Sequence, residues 1–248
     1  MNIDVSGAKV FLYSEKLGGA ILTETIVNMW IVMAVVALIC FVLTRNLKPH
    51  SVSKRQAAAE FIVQKMTNMV KENMGEKFAG MAPFITALMA LSALCSLSSL
   101  LGMYAPTSDL STVLGWALLV FAMITYQKFK TSGFLGYFKG YTEPIVVLTP
   151  FNIISEIATP ISMAFRHFGN IASGSVITAL VYAALAALSH GLFSILPGAL
   201  GQTLSQIPIL QVGIPAVLSI YFDLFSSCLQ AFIFCMLTMM YIGSAAEG

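Results

Sequence analysis

Long apolar runs separated by short polar segments make up most of the chain. The runs cover residues 25–44, 78–103, 112–127, 150–188 and 209–243. Lys128 and Lys130 end the third run, and residues 131–149 are predicted to form a loop. About twenty apolar residues in an α-helix cross the hydrocarbon core of a bilayer, and the first run has this length. The pattern therefore predicts an all-α integral membrane protein with five crossings.

The last two runs are much longer than one crossing needs. A helix over residues 150–188 would be about 57 Å long, against a hydrocarbon core of about 30 Å. Such a helix must tilt steeply or break. We therefore expect the last two helices to be long and steeply tilted, with Pro215 kinking the second of them near its start.

Residues 55–74 show a different pattern, in which charged side chains alternate with apolar ones. The apolar positions recur every three or four residues, as on one face of an α-helix. They include Phe61, Val63, Met66 and Val70. This segment is predicted to be an amphipathic helix lying on a membrane surface, and residues 1–20 are also expected at a surface.

Composition supports the membrane assignment. The chain is 58% hydrophobic and 10% charged, whereas soluble domains carry about 25% charged residues. No phosphate-binding glycine motif occurs, and the three histidines are too far apart in sequence to form a metal-ligand set. The sequence thus predicts no catalytic residues, no cofactor and no metal.

The distribution of cations predicts the orientation. Seven of the thirteen Lys and Arg residues lie at 45–77, and three more lie at 128–139. Two crossings separate these segments, so they share one side, which the positive-inside rule makes cytoplasmic. The N-terminus is then outside and the C-terminus is cytoplasmic after five crossings.

Arg166 is the unusual residue of the fourth run. A guanidinium stays charged in a protein, and placing one in a bilayer costs at least about 2.5 kcal/mol, so such residues usually mark an ion or substrate path. Polar residues recur around it at helical spacing, which predicts one polar stripe. They are Ser155, Thr159, Ser162, Asn170 and Ser173. The alternative is a cation that reaches a headgroup or pairs with a buried acid, but apolar residues extend well past Arg166 on both sides.

The last run carries a second polar stripe, formed by Asp223, Ser227 and Gln230. Asp223 is the only acid between Glu156 and Glu247. An isolated acid in an apolar helix is a candidate for ion exchange. The alternative is a cap or headgroup contact at the membrane boundary.

Motifs around Arg166 resemble those of subunit a, the stator channel of F-type ATP synthases. The family pattern is P-x-N-x-I-x-E, then P-x-S, then R-x-F-G-N. It is matched here by Pro150, Asn152, Ile154, Glu156, Pro160, Ser162, Arg166, Phe168, Gly169 and Asn170. The resemblance extends to the first run, to the P-T-x-D-L turn at 106–110 and to the Q-A-F-I-F run at 230–234.

The resemblance implies a bacterial plasma-membrane protein that works with a rotor ring of subunit c, the peripheral-stalk subunit b and, indirectly, the F1 sector. Protons would reach ring carboxylates through one half-channel and leave through another, with Arg166 between them. Asn170, Asp223 and Gln230 would line the outer half-channel, whereas Glu156 and Ser155 would lie toward the inner exit. The choice of H⁺ or Na⁺ would be made by the ring.

Two positions depart from the family pattern. An acid usually follows the asparagine by about five residues, and a histidine or other polar group usually occupies the last helix. Here Ser175 and Asp223 stand at these places, so we interpret the carboxylate as having moved to the facing helix. His167 replaces a leucine. It points about 100° away from Arg166 on a helix, which favours packing or a hydrogen bond over a relay role.

Two other functions are alternatives for a membrane protein of this kind. A stand-alone secondary ion transporter would use Arg166 and Asp223 as an internal pair, but the chain shows no internal repeat of the kind common in transporters. A membrane scaffold without a pathway would leave both polar stripes unexplained. Flux through the purified chain alone would indicate the transporter, whereas a stator needs its ring.

Overall fold

The structure is a computed structural model, and it describes residues 8–14, 19–48, 53–142, 145–194, 217–218 and 220–247. Within these ranges five helical segments are long and apolar enough to cross a membrane. They are Glu24–Thr44, Glu76–Leu101, Leu110–Gly140, Val146–Leu192 and Ile220–Ala246. The predicted all-α membrane protein with five crossings is confirmed.

The N-terminal segment forms a β-hairpin, which the sequence pattern did not predict. Strands β1 (Val10–Ser14) and β2 (Gly19–Thr23) pair antiparallel. Helix α1 (Glu24–Thr44) follows β2 directly. The last residue of the strand, Thr23, caps the helix, because its side chain accepts a hydrogen bond from the backbone N–H of Ile26.

Helix α2 (Lys54–Met74) corresponds to the amphipathic helix that was predicted at residues 55–74. Ser53 caps its start, and Gly75 ends it with a φ of 90°, which glycine adopts without strain. Its buried C-terminal side chains pack against the last helix. Gly243 lies at this contact, where an added Cβ would be at an ordinary van der Waals distance of 3.6 Å from the Asn73 carbonyl oxygen.

Helix α3 (Ala82–Leu97) lies between two short 3₁₀ helices, Glu76–Met81 and Ser98–Leu101. A third, Pro106–Ser108, leads to helix α4 (Leu110–Gly140), which Asp109 caps. The hydrophobic core lies where these helices meet the last one. Its fully buried members include Val70, Ile85, Val113, Ala117, Val120, Phe234 and Met239.

The end of α4 corrects a prediction. The sequence placed the third crossing at 112–127 and a loop at 131–149, but the helix continues to Gly140. Gly133 bends it with a φ of 71° instead of ending it. Beyond the bend, Phe134 and Tyr137 stack on Phe129, with ring centroids 5.8 and 4.4 Å away, and these contacts hold the extension in place.

Helix α5 (Thr149–Ser194) follows a short 3₁₀ turn, Val146–Leu148, and is longer than the predicted 150–188. Its 46 residues extend about 69 Å, which exceeds the thickness of a bilayer core. Only 6% of its most apolar stretch is buried, against 33% for the α3 segment and for the last one. One long face of α5 is therefore left uncovered by the residues that the structure describes.

The last helical segment begins with a π-helical stretch, Ile220–Phe225, and continues as helix α6 (Ser226–Glu247). The sequence placed this helix at 209–243. Residues 209–216, including Pro215, lie outside the described residues. Helix α6 packs against α2, α3, α4 and α5, so it is the central element of the bundle.

Candidate functional site

Arg166 lies on the uncovered face of α5. Ser155, Ser162 and Ser173 are exposed on the same face, as the predicted stripe required. Met163 and Ala164 of the same turn are buried in the bundle. Arg166 forms no ion pair with any residue in the described ranges, where the two pairs are Lys71–Glu76 and Lys128–Glu156.

Asn170 lies one turn after Arg166 and joins α5 to α6. Its side-chain nitrogen donates to Gln230 Oε1 across 3.1 Å, and the Ser226 hydroxyl donates to its Oδ1 across 2.9 Å. Gln230 is 3% exposed, so this network is inside the protein. The structure thus brings together two of the predicted site residues, and it adds Ser226, which the sequence analysis did not name.

A cavity of about 250 Å³ lies beyond this network and is called here the Asp223 cavity. Asp223, Ser227 and Ser175 all line it, together with Tyr104 and Ser108 from the polar turn before α4. The polar turn therefore faces the polar stripe of the last helix. Ser175 and Asp223, the two positions that depart from the family pattern, share one cavity.

A second cavity, of about 510 Å³, is called the Glu156 cavity. It lies between the end of α4, the start of α5 and the end of α6. Ser155, Glu156 and Thr159 line it from α5, and Lys128 and Tyr137 from α4. The two residues predicted near an inner exit thus lie together at a polar cavity.

Glu156 is held by three side chains that the sequence analysis did not assign to the site. Lys128 Nζ lies 2.9 Å from Oε1, the Tyr137 hydroxyl donates to Oε1 across 3.2 Å, and the Tyr141 hydroxyl contacts Oε2. Tyr141 also lies 2.6 Å from the Tyr137 hydroxyl. Lys128 had been placed at the end of the third crossing, and the two tyrosines in a loop. Because the extension of α4 was not predicted, their contacts with Glu156 were not predicted either.

The Tyr141 phenol keeps its proton in this arrangement. Burial first, and then the hydrogen bond to the Glu156 carboxylate, raise the pKa of Tyr141 above its ordinary value. Asn152 supports the tyrosine by donating to its backbone carbonyl across 2.9 Å. Tyr141 is therefore a hydrogen-bond donor at neutral pH.

The two cavities lie on opposite sides of Arg166 along α5. Glu156 precedes Arg166 by ten residues and Ser175 follows it by nine, which correspond to about 15 Å and about 13.5 Å along a helix axis. Along the axis of α5, Arg166 thus lies between the two cavities, each of which is lined in part by polar side chains.

His167 lies on the buried side of α5, away from Arg166. It is fully buried, and its ring packs edge-on against Trp116 and Phe234 with centroids 6.5 and 5.6 Å away. Its Nε2 is 3.4 Å from the Ser92 hydroxyl. These contacts link α5 to α3, α4 and α6, which agrees with a packing and hydrogen-bonding role.

Comparison with known proteins identifies the family. The sequence pattern of the ATP synthase A chain matches residues 26–243, which is most of the chain. The chain belongs to the ATP synthase A chain family. The stator ion-channel role in the Fo sector is therefore supported, and the stand-alone transporter is not favoured.

Individual relatives agree with this assignment. ATP synthase subunit a 1 of Crocosphaera subtropica is 32% identical over 225 residues, which are 90% of this chain and 86% of the relative. ATP synthase subunit a of Desulforamulus reducens is 31% identical over 236 residues, 94% of this chain and 83% of the relative. The sodium ion specific subunit a of Propionigenium modestum is 41% identical over 137 residues, 55% of this chain and 39% of that protein.

Proposed function

We propose that this chain provides two offset half-channels that carry ions to and from the carboxylates of a rotor ring of subunit c. Arg166 separates the half-channels and faces the ring. The observation that carries this proposal is the position of Arg166, which lies exposed on α5 between two polar cavities without an ion-pair partner in the described residues.

The outer half-channel is assigned to the Asp223 cavity and the Asn170 network. Asp223 is the relay acid there, and Asn170 and Gln230 lead from it toward Arg166. Support comes from the shared cavity of Asp223 and Ser227 and from the hydrogen bond between Asn170 and Gln230. The inner half-channel is assigned to Glu156 and Ser155 in the Glu156 cavity.

Ser162 and Ser173 flank Arg166 on the uncovered face of α5, which we assign as the surface that meets the ring. A protonated ring carboxyl that approaches Arg166 gives up its proton, because the guanidinium stabilises the ionised carboxylate that forms. The same fixed cation blocks a continuous proton wire between the half-channels. Each charge that crosses gains about 2.3 kcal/mol per 100 mV, and the lateral offset converts this energy into rotation.

The proposed membrane is a bacterial plasma membrane, with the N-terminus outside and the C-terminus cytoplasmic. The Glu156 cavity then opens on the cytoplasmic side, because Lys128 at its edge belongs to the basic segments. The peripheral-stalk subunit b and, through it, the F1 sector complete the partners. The chain contributes no catalytic residues, and ATP chemistry takes place in other subunits.

Replacing Arg166 tests the proposal. Arg166→Ala in the whole ATP synthase should abolish ATP-driven ion pumping while the complex still assembles. Arg55→Ala, at an exposed position of α2, is the matched control and should pump normally. Normal pumping by the Arg166 variant would refute the function. Ion flux through the purified chain in liposomes without a ring would support a transporter instead.

A further inference from the structure

The Glu156 cavity holds a continuous line of exchangeable protons that the family resemblance did not assign. Tyr137 and Tyr141 lie four residues apart around the end of α4, and both contact the Glu156 carboxylate and each other. A single hydrogen bond of this kind would be enough to hold α4 against α5. Here two phenols and a carboxylate form a closed chain of hydrogen bonds.

The exposure of the side chains shows which end of this line of exchangeable protons lies nearer to solvent. The Lys128 side chain is 37% exposed and lies at the edge, whereas the Glu156 side chain is 10% exposed and lies inside. A cavity of about 510 Å³ has room for several waters, each of which occupies about 30 Å³ of liquid volume. Thr159 lines the cavity one turn after Glu156, and Ser162 continues toward Arg166. Hydroxyl groups thus lead from the cavity to the Arg166 face.

We propose that Tyr137, Tyr141 and Glu156 form a proton relay between water in the Glu156 cavity and the Arg166 face of α5, and that Lys128 is its positioning residue. The proposal rests on the proposed function and names the inner path. It concerns protons, because a phenol passes a proton along a hydrogen bond but offers no path to a metal cation.

The transfer conserves protons. A cavity water gives a proton to the Tyr141 oxygen, the Tyr141 proton moves along its hydrogen bond to Tyr137, and the Tyr137 proton moves to Glu156 Oε1. Each phenol ends with one proton, Glu156 gains one, and the water loses one. During synthesis the same steps run in reverse. Rotation of both hydroxyls about their C–O bonds restores the starting arrangement once Glu156 has passed its proton on.

Lys128 acts through Glu156. Its ammonium holds Oε1 at 2.9 Å, which leaves Oε2 to the Tyr141 hydroxyl. Without it, the carboxylate is free to turn away from Tyr141. Arginine can also donate to Oε1, so Lys128→Arg should retain function, whereas Lys128→Met should not.

The test uses the whole ATP synthase in liposomes, where the pH on the F1 side and on the opposite side are set independently. Tyr137→Phe combined with Tyr141→Phe removes two hydroxyls and keeps the aromatic packing. Losing a positioned proton-transfer group costs about 10²–10⁴ in rate, and with water as a partial bypass we expect a loss of about tenfold in synthesis per assembled complex. The response to F1-side pH should change, and the response to opposite-side pH should not.

Tyr126→Phe is the matched control, because Tyr126 lies exposed on the same helix. An unchanged rate and F1-side pH profile in the double variant overturns the relay. So does a lower yield of complex with an unchanged rate per complex, which indicates a structural role. If the double variant does not assemble, the single variants decide by the same criteria. Normal pumping by Arg166→Ala would contradict the proposed function itself. If Arg166→Ala abolishes pumping while the tyrosine variants keep a normal rate and pH response, only the relay is contradicted.

Discussion

The Asn170 side-chain amide donates a hydrogen bond to Gln230 Oε1 across 3.1 Å, and this contact joins the two helical segments that carry every predicted ion-translocation residue. Ser226 completes the network from the same side of α6. Because Gln230 is buried, the contact fixes the rotation of α5 against α6. The direction in which Arg166 points therefore depends on a polar contact four residues away.

Gln230→Leu tests this dependence. The change removes the acceptor and leaves the half-buried amide donor of Asn170 unsatisfied, which costs about 1–3 kcal/mol. We expect a less heat-stable complex and a lower rate of ATP-driven pumping, measured on the purified ATP synthase. Gln127→Leu is the control, because Gln127 bonds only across one turn of its own helix at an exposed site. Equal losses in the two variants would contradict the assignment.

Asp223→Asn removes the ionisable carboxyl group from the Asp223 cavity with almost no change in volume. We expect slower ATP synthesis with an altered response to pH on the side opposite F1, and an unchanged response to F1-side pH. Ser175→Glu in the same chain should restore part of the rate, because both side chains line one cavity. Asp109→Asn is the control, since asparagine also caps helices well. Unchanged synthesis in Asp223→Asn would remove this residue from the path.

His167 offers a test of buried packing. His167→Leu loses the contact with Ser92, so a stability loss of about 0.5–1.5 kcal/mol is expected. Ser92→Ala together with His167→Leu removes both polar partners and should recover most of that loss. His167→Lys places an unpaired cation at a fully buried position and should prevent assembly. Thermal denaturation and the yield of complex measure these effects, and a normally assembled lysine variant would show that the site is not buried.

The close approach of α2 and α6 at Gly243 gives a steric prediction. A Cβ at this position meets Asn73 and Met74 at ordinary contact distances of 3.6 and 3.7 Å, so Gly243→Ala should be tolerated. Gly243→Leu adds more atoms than the gap holds and should cost about 1–3 kcal/mol. Gly115→Leu is the control, because nothing lies within 4 Å of a Cβ there. Equal stability of the two leucine variants would contradict the packing.

Hydrophobic patterning predicted the helices well where local physics decides them. The first span was placed at 25–44, and α1 begins only one residue earlier. This run could be predicted because a chain in lipid must form a helix to satisfy its backbone hydrogen bonds. The extension of α4 beyond Gly133 was missed. A glycine with neighbouring polar residues looks like a loop, whereas the contacts of the extension with Phe129 and Glu156 form only in the folded chain.

The candidate site, too, could be predicted only where it depends on a single helix. The stripe around Arg166 follows from helical spacing, so sequence alone placed its members on one face. The contact of Lys128 with Glu156 joins residues 28 positions apart, and it depends on how α4 and α5 pack. The meeting of Ser175 and Asp223 in one cavity likewise depends on the angle between two helices, which spacing along one helix cannot supply.

The uncovered face of α5 has a consequence for biogenesis. A subunit that exposes a lone guanidinium to lipid is poorly suited to persist by itself, so newly inserted copies should be cleared by membrane proteases until a ring arrives to shield them. On the proposed function the same arrangement protects the cell. A subunit without its ring offers protons no carboxylate to bind between the two half-channels, so it does not dissipate the membrane potential.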